Sequence, residues 1–349
     1  MSDARSRLAS PAPGRSSRGR FRHVFAAVDL GTNNCRLLIV RPTQSGFRVV
    51  DSFSRLSRLG EGVQQTGVLS AAAVERTVDA LKICAAKIEA RHVTRSRWVA
   101  TEACRRAANA DEFLARVHAE VGVVLEIISA DDEARYALIG CAPLLDYEHD
   151  HALIFDVGGG STELMWLKLE RSRKPVLIAL TSLPLGVVIL AERWGGESLP
   201  EAVYESMVAE VGDRLKPFEA AHAIRAKAVN GQVLLLGTSG TVTTIASVLM
   251  NLPRYDRARV DGQWIDPFAV RPLARELASW PLEKRRAHPC IGVGRADLVV
   301  AGCAVVEAIH RLWPAPRLRV ADRGVREGLL VEMMRAADAE GERRAKPSR

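Results

Sequence analysis

The chain writes one turn twice. VDLGTNNCRLL begins at Val28 and FDVGGGSTELM at Phe155, so that Asp29 and Asp156, Gly31 and Gly158, and Leu37 and Leu164 all match at an offset of 127 residues. In each copy a β-like apolar run (FAAVDL, ALIFDV) reaches an Asp and a cluster of small residues (GTNN, GGGS). A second β-like run then returns (CRLLIVR, TELMWLKLE). Small polar residues between two apolar runs are hairpin chemistry. A duplicated hairpin predicts two related domains whose turns face each other across a cleft, with Asp29 and Asp156 approaching one phosphate and metal site from opposite sides. At 349 residues the chain has the length for two domains of about 150 residues each.

Between the hairpins, strand-like runs alternate with helical patterns, which predicts an α/β fold. Val74, Val78, Leu81, Ala85 and Ile88 recur at helical spacing behind Ser70, a predicted N-cap. Asn109 and Glu112 read as a capping-box start for a second helix. VVLEII, Val123 to Ile128, reads as a buried strand. Ser129 and Asp132 then open a helix that carries Glu133 in its first turn, at the carboxyl end of that strand, where open α/β sheets face their ligands.

A third glycine-rich segment, LLLGTSGTVTTIASVLM from Leu234, reads as strand, turn and helix. Successive N–H groups in such turns converge on an anion, and a helix N-terminus adds a favourable dipole. One such turn is weak evidence, whereas three, two of them behind a matched Asp, point to phosphate. The predicted phosphate-binding residues are Gly31, Thr32, Asn33 and Asn34, then Gly158, Gly159, Gly160 and Ser161, and finally Ser239, Gly240 and Thr241. The chain contains no G-x-x-x-x-G-K-[ST], G-x-G-x-x-G or G-x-S-x-G.

The net charge of +8 invites a nucleic-acid reading, but its placement weakens that. Six arginines and a single acid fall in residues 1–22, a Ser-, Pro- and Gly-rich stretch predicted to be a disordered basic tail capable of a weak polyanion contact. Residues 338–349 add one more positive charge, so the body carries only about +2. No run approaches the ~20 apolar residues of a membrane helix, so the expectation is a cytoplasmic protein with no membrane partner. The six cysteines lack C-x-x-C spacing and read as buried, reduced thiols. His149 and His151 sit before a strand and read as a loop rather than a metal site.

Seven stretches in order, AAVDLGTNNCRLLIV, TEACRRAANADEF, EIISADDEARYA, FDVGGGSTEL, LGTSGT, GVGRADLVVAG and DRGVREGLL, resemble the exopolyphosphatase/guanosine pentaphosphate phosphatase family of the actin, Hsp70 and sugar-kinase superfamily. The resemblance covers roughly residues 24 to 335. It implies two ribonuclease-H-like domains with an active-site cleft between them: domain I over 24–137, and domain II over 138–335 with its last helix packing toward domain I. Residues 1–23 and 336–349 are then tails. It also implies hydrolysis of the terminal phosphate of inorganic polyphosphate or of the 5′ γ-phosphate of guanosine pentaphosphate, a stringent-response nucleotide, by a Mg²⁺-dependent enzyme expected to be a homodimer.

By the same resemblance Glu133 is the base that activates water, and Arg105 contacts the phosphoryl oxygens. Asp156 and Glu163 are magnesium-site carboxylates, while Asp29 either joins them through water or braces its turn. Asp322, Arg326 and Glu327 read as a structural latch. Arg55, Arg58 and the EKRR run from Glu283 are candidates for a polyanion groove or for solvated faces. SADDEA and Asn34 depart from the usual motifs, which leaves the presentation of Glu133 open. Two rival functions remain: a non-catalytic sensor of polyphosphate or guanosine nucleotides, and a small-molecule kinase of the same superfamily, for which no late Gly-Gly adenosine motif is present.

Overall fold

A computed structural model describes residues 19–171, 174–195 and 199–345. Eleven strands form two sheets among these residues. The first contains β1 (Phe25–Leu30), β2 (Asn34–Thr43), β3 (Gly46–Leu56), β4 (Arg95–Ala100) and β5 (Glu126–Ile127), in the order β3-β2-β1-β4-β5. The second contains β6 (His151–Val157), β7 (Thr162–Lys168), β8 (Val176–Leu183), β9 (Val233–Thr238), β10 (Trp264–Ile265) and β11 (Leu318–Ala321), in the order β10-β11-β9-β6-β7-β8.

The duplication seen in sequence is a duplication of topology. In each sheet three strands run antiparallel (β1-β2-β3 and β6-β7-β8), and two more add in parallel beside the first (β4 and β5, β9 and β11). The short β10 is an antiparallel addition at the far edge of the second sheet. Register follows too, since Asp29 faces Arg36 across the first hairpin and Asp156 faces Glu163 across the second.

Each sheet buries one face under its own helices. Ala71–Ala90 and Ala110–Val121 cover the first through Val74, Val78, Leu81, Phe113 and Val117. Glu201–His222 and Val299–Leu312 cover the second. A third core joins the sheets: the helix Ala130–Cys141 packs on β6, β7 and β8, the final helix Val325–Ala345 packs on β1 and β2, and the two helices pack on each other. The chain therefore crosses between sheets twice, and the division expected after Ala137 falls inside a helix.

Several local expectations need correction. Asn109 does not cap its helix, because its side chain is spent on Leu69, accepting from the N–H at 2.8 Å and donating to the carbonyl at 3.0 Å. VVLEII gives only the two-residue edge strand β5, with Val124 77% exposed, because only Glu126 and Ile127 find partners on β4. The final helix does not stop at 335 but reaches Ala345. Residues 19–22 of the expected tail include a 3₁₀ turn, Arg20–Arg22, docked on that helix by the Arg20 N–H bond to Asp338 (3.0 Å). The rest of the basic tail, residues 1–18, lies outside the described residues.

All six cysteines are free and buried. His151 stacks on Trp166 with ring centroids 4.8 Å apart, as a core-edge residue does. No helix among the described residues is long and apolar enough to cross a membrane.

Candidate active site

The two hairpins end in the same closed turn. Gly31 donates its N–H to the Asn34 carbonyl (3.0 Å), and Gly158 donates to that of Ser161 (2.9 Å). They meet tip to tip: a Cβ on Gly160 would fall 2.6 Å from Thr32 Oγ1, so only glycine permits this approach. The third turn joins them from β9. Ser239, which opens the helix Ser239–Leu249, has φ 97°, a left-handed backbone that a serine adopts at a cost of about 1–3 kcal/mol. Its hydroxyl accepts from the Thr241 N–H (3.0 Å), and Thr241 Oγ1 donates to the Val157 carbonyl (3.0 Å), which fixes this turn against the second hairpin.

All eleven predicted phosphate-binding residues line the single cleft these turns enclose, together with Asp29, Asp156 and Glu133. Its volume is about 130 Å³, room enough for several waters or the end of a phosphate chain. Glu133 arrives there because Ser129 caps the helix Ala130–Cys141, its Oγ accepting from the Asp132 N–H at 3.0 Å.

Two predicted residues stand elsewhere. Glu163 lies behind the second turn, 2% exposed, where its Oε1 accepts from the hydroxyls of Ser161 (2.6 Å) and Ser182 (2.8 Å). Arg105 does not line the cleft. Its Nη1 donates to Glu133 Oε2 (2.8 Å) and to the Ile128 carbonyl (2.9 Å), while Nε and Nη2 both donate to Glu102 Oε2. The arginine is thus spent on Glu133, Glu102 and the Ile128 carbonyl. Glu133 Oε1 has no protein hydrogen-bond partner among the described residues, and Glu133 lines the cleft.

Cations that the sequence reading missed fill the cleft instead. A Cβ on Gly240 would lie 2.5 Å from Arg36 Nη2 and 2.9 Å from Arg295 Nη2, which places both guanidinium groups at the third turn. Arg295 donates to Thr244 Oγ1 (2.8 Å). Burial, with Arg36 beside it, pushes the Arg295 pKa down to about 10. A signal for Arg36 was present: it is the counterpart of Glu163 under the repeat, so the duplicated position carries opposite charges in the two copies.

The expected latch divides. Glu327 is buried, accepts from the Gly324 N–H (2.9 Å) and pairs with Arg257 (2.8 Å), and Asp322 accepts from Tyr255 Oη (2.5 Å). All three line the cleft, but Arg326 has no ion pair among the described residues, whereas Asp322 and Glu327 both pair with Arg257. Of the proposed groove, Arg58 is held by Asp297 (2.8 Å) and Arg285 is buried, with Nη1 donating to the Ala296 carbonyl (3.0 Å).

The carboxylates here are held toward their neutral forms. Burial raises Asp156 to about 7, with Glu133 and Asp29 adding like-charge repulsion against the pull of Arg36. Burial and then Asp156 raise Glu163 to about 7, opposed by its two serine hydroxyls. Burial raises Asp29, and burial followed by Glu163 raises Glu133 well above its usual range despite Arg105.

The residues matched by a family model settle the assignment. Residues 38–337 match the Ppx/GppA phosphatase family. The chain belongs to the Ppx/GppA phosphatase family. It is 30% identical over 297 residues to Exopolyphosphatase 2 of Mycobacterium tuberculosis, covering 82% of this chain and 89% of that protein. The solved Ppx/GppA enzyme of Aquifex aeolicus superposes with a TM-score of 0.71 at 29% identity, over 89% of this chain and 99% of the other. An exopolyphosphatase structure from Cytophaga hutchinsonii, at 22% identity over 90% of this chain and 98% of its own, gives a TM-score of 0.79 and so shares the fold. The family resemblance read from seven motifs and the actin-like, two-sheet α/β architecture are both borne out.

Proposed function

We propose that this Ppx/GppA protein hydrolyses the terminal phosphoanhydride bond of inorganic polyphosphate, with the 5′ γ-phosphate of guanosine pentaphosphate as the second substrate open to the same chemistry. The observation that carries the reading is the open Oε1 of Glu133, in a cleft formed by three phosphate-type turns and lined by Arg36, Arg295 and Arg326. The turns and arginines bind and orient the terminal phosphate. A water between Glu133 Oε1 and the phosphorus then forms the new P–O bond in line with the bridging oxygen. The bridging bond breaks, its electron pair leaves on the shortened chain, and the water proton passes to Glu133.

Magnesium fits this donor set. Asp29 and Asp156 accept no hydrogen bond among the described residues, and burial holds both toward protonation, with Glu327 repelling Asp29 and with Glu133 and Asp29 repelling Asp156, a state that a hard cation relieves. No three His, Cys, Asp or Glu side chains among the described residues are gathered as a metal-holding group, so Asp156 and Asp29 would hold Mg²⁺ with water and substrate oxygens completing its shell. Bound there, the ion neutralises charge on the phosphate oxygens. Glu163, held by two serines, faces Asp156 across the hairpin and is itself raised by it.

The direct test is phosphate release from long-chain polyphosphate and from guanosine pentaphosphate, measured side by side with and without Mg²⁺. Release from one or both supports the reading and sets the preference. Tight binding of both without release supports the sensor instead.

A thermodynamic test needs no turnover. With Asp156 and Glu163 raised to about 7, the folded metal-free protein binds protons that the unfolded chain has already lost above about pH 4.5, so its stability falls as pH rises through this window. Mg²⁺ favours the ionised forms. A saturating concentration is therefore expected to raise Tm by roughly 2–5 °C at pH 8 and by little at pH 5.5, where it must displace protons. Asp156→Asn is expected to abolish most of the pH 8 gain and to raise the Mg²⁺ needed for turnover. An equal Tm gain at both pH values would place the cation elsewhere.

A further inference from the structure

Glu102 is an acid on the wall of a cleft that should admit a polyanion. It begins the short helix Glu102–Arg106 and lines the cleft. Its stem lies against the second hairpin, since a Cβ on Gly160 would come within 3.0 Å of its Cγ. Its head is only 14% exposed. Oε2 takes two bonds from one edge of Arg105, from Nε at 3.1 Å and from Nη2 at 2.9 Å, and Arg106 stands 3.6 Å from Oε1. The Arg105 guanidinium is thus bracketed, with its Nε–Nη2 edge on Glu102 and only Nη1 on Glu133.

We propose, on the reading that Glu133 is the base, that Glu102 is a positioning residue: by occupying the Nε–Nη2 edge of Arg105 it confines the arginine to one oxygen of Glu133 and keeps the other open to the attacking water. The physical reason is the fork of the guanidinium. An arginine beside a carboxylate pairs with both oxygens when two of its nitrogens are free to do so. Such a grip on Glu133 would engage both oxygens and would stabilise the carboxylate as a weaker base. Glu102 prevents it by engaging the competing edge first, and Arg106 partly balances the charge this leaves at the wall.

The proposal makes Glu102 act on turnover through Arg105, so a double-mutant cycle on the full chain tests it. Glu102→Gln keeps the shape that packs on Gly160 and removes the charge that holds the edge. It is expected to lower kcat for polyphosphate roughly tenfold, with KM changed by less than about threefold. In an Arg105→Gln background the same change is expected to cost nothing further, because the arm it acts through is gone. Glu102→Asp, which retains the charge, is expected to restore part of the loss and replaces Gln in the cycle if Glu102→Gln unfolds by circular dichroism. An additive cycle, or a change in KM alone, would overturn the proposal and make Glu102 a group that meets substrate or merely tunes the field. Glu133→Gln separates this from the function itself. If that variant stays active, the base is elsewhere and the proposal falls with it even where the cycle is coupled; if it is inactive while the cycle is additive, the positioning role alone fails.

Discussion

Glu133→Gln is expected to lower kcat for polyphosphate by at least ~10²-fold while leaving substrate affinity within about threefold. The substitution keeps the volume of the side chain and an oxygen for the Arg105 Nη1 bond, but removes the group that takes the water proton. It also relieves the repulsion from Glu163 and Asp29, which offsets the loss of the ion pair with Arg105. The measurement is single-turnover phosphate release beside equilibrium binding of the same polyphosphate. Loss of turnover with retained binding is the expected pair. Near-normal release would remove Glu133 from the chemistry, since an open carboxylate oxygen in the cleft would then have no function that its isosteric amide lacks.

The parts of the fold legible in the sequence were those fixed locally. Each hairpin is set by an apolar run, a small-residue turn and a returning run, and β1 and β2 meet at that turn as expected. Ser70 and Ser129 cap their helices because N-capping needs only three residues of context. What failed was set by distant partners. Asn109 has the residue type of a cap, yet Leu69, forty positions away, claims its side chain. The final helix runs on to Ala345 because β1, β2 and Ala130–Cys141 offer it a face, which its own mixed pattern does not announce.

The site divides in the same way. The glycine turns are local in sequence and could be placed at one cleft directly, whereas Arg36 and Arg295 become a pair only when β2 and the segment before Val299–Leu312 meet at Gly240. The charge reversal between Arg36 and Glu163 then explains how one duplicated hairpin serves two purposes. The first copy sends a cation into the cleft, and the second backs Asp156 with an acid.

The helix that carries Glu133 owes its position to an unusually close helix pair, and that can be tested far from the chemistry. A Cβ added at Gly328, in the final helix, would lie 2.0 Å from the Tyr136 carbonyl oxygen, which belongs to Ala130–Cys141. No side-chain rotation relieves a collision with backbone, so Gly328→Ala must push the two helices apart. Overpacking of this kind costs about 1–3 kcal/mol and can cost more. For a chain of this size that is a fall in Tm of roughly 1–4 °C, measurable by calorimetry. Separation also shifts Glu133 on one helix, and Asp322 to Glu327 at the start of the other, relative to the three turns. Positioning within a few tenths of an ångström governs in-line attack, so kcat is expected to fall at least tenfold even at temperatures where the variant is fully folded. A variant with wild-type Tm and turnover would show that the helices yield freely, and that their close contact does not set the geometry of the site. A variant that loses stability but not turnover would confine their contact to the core.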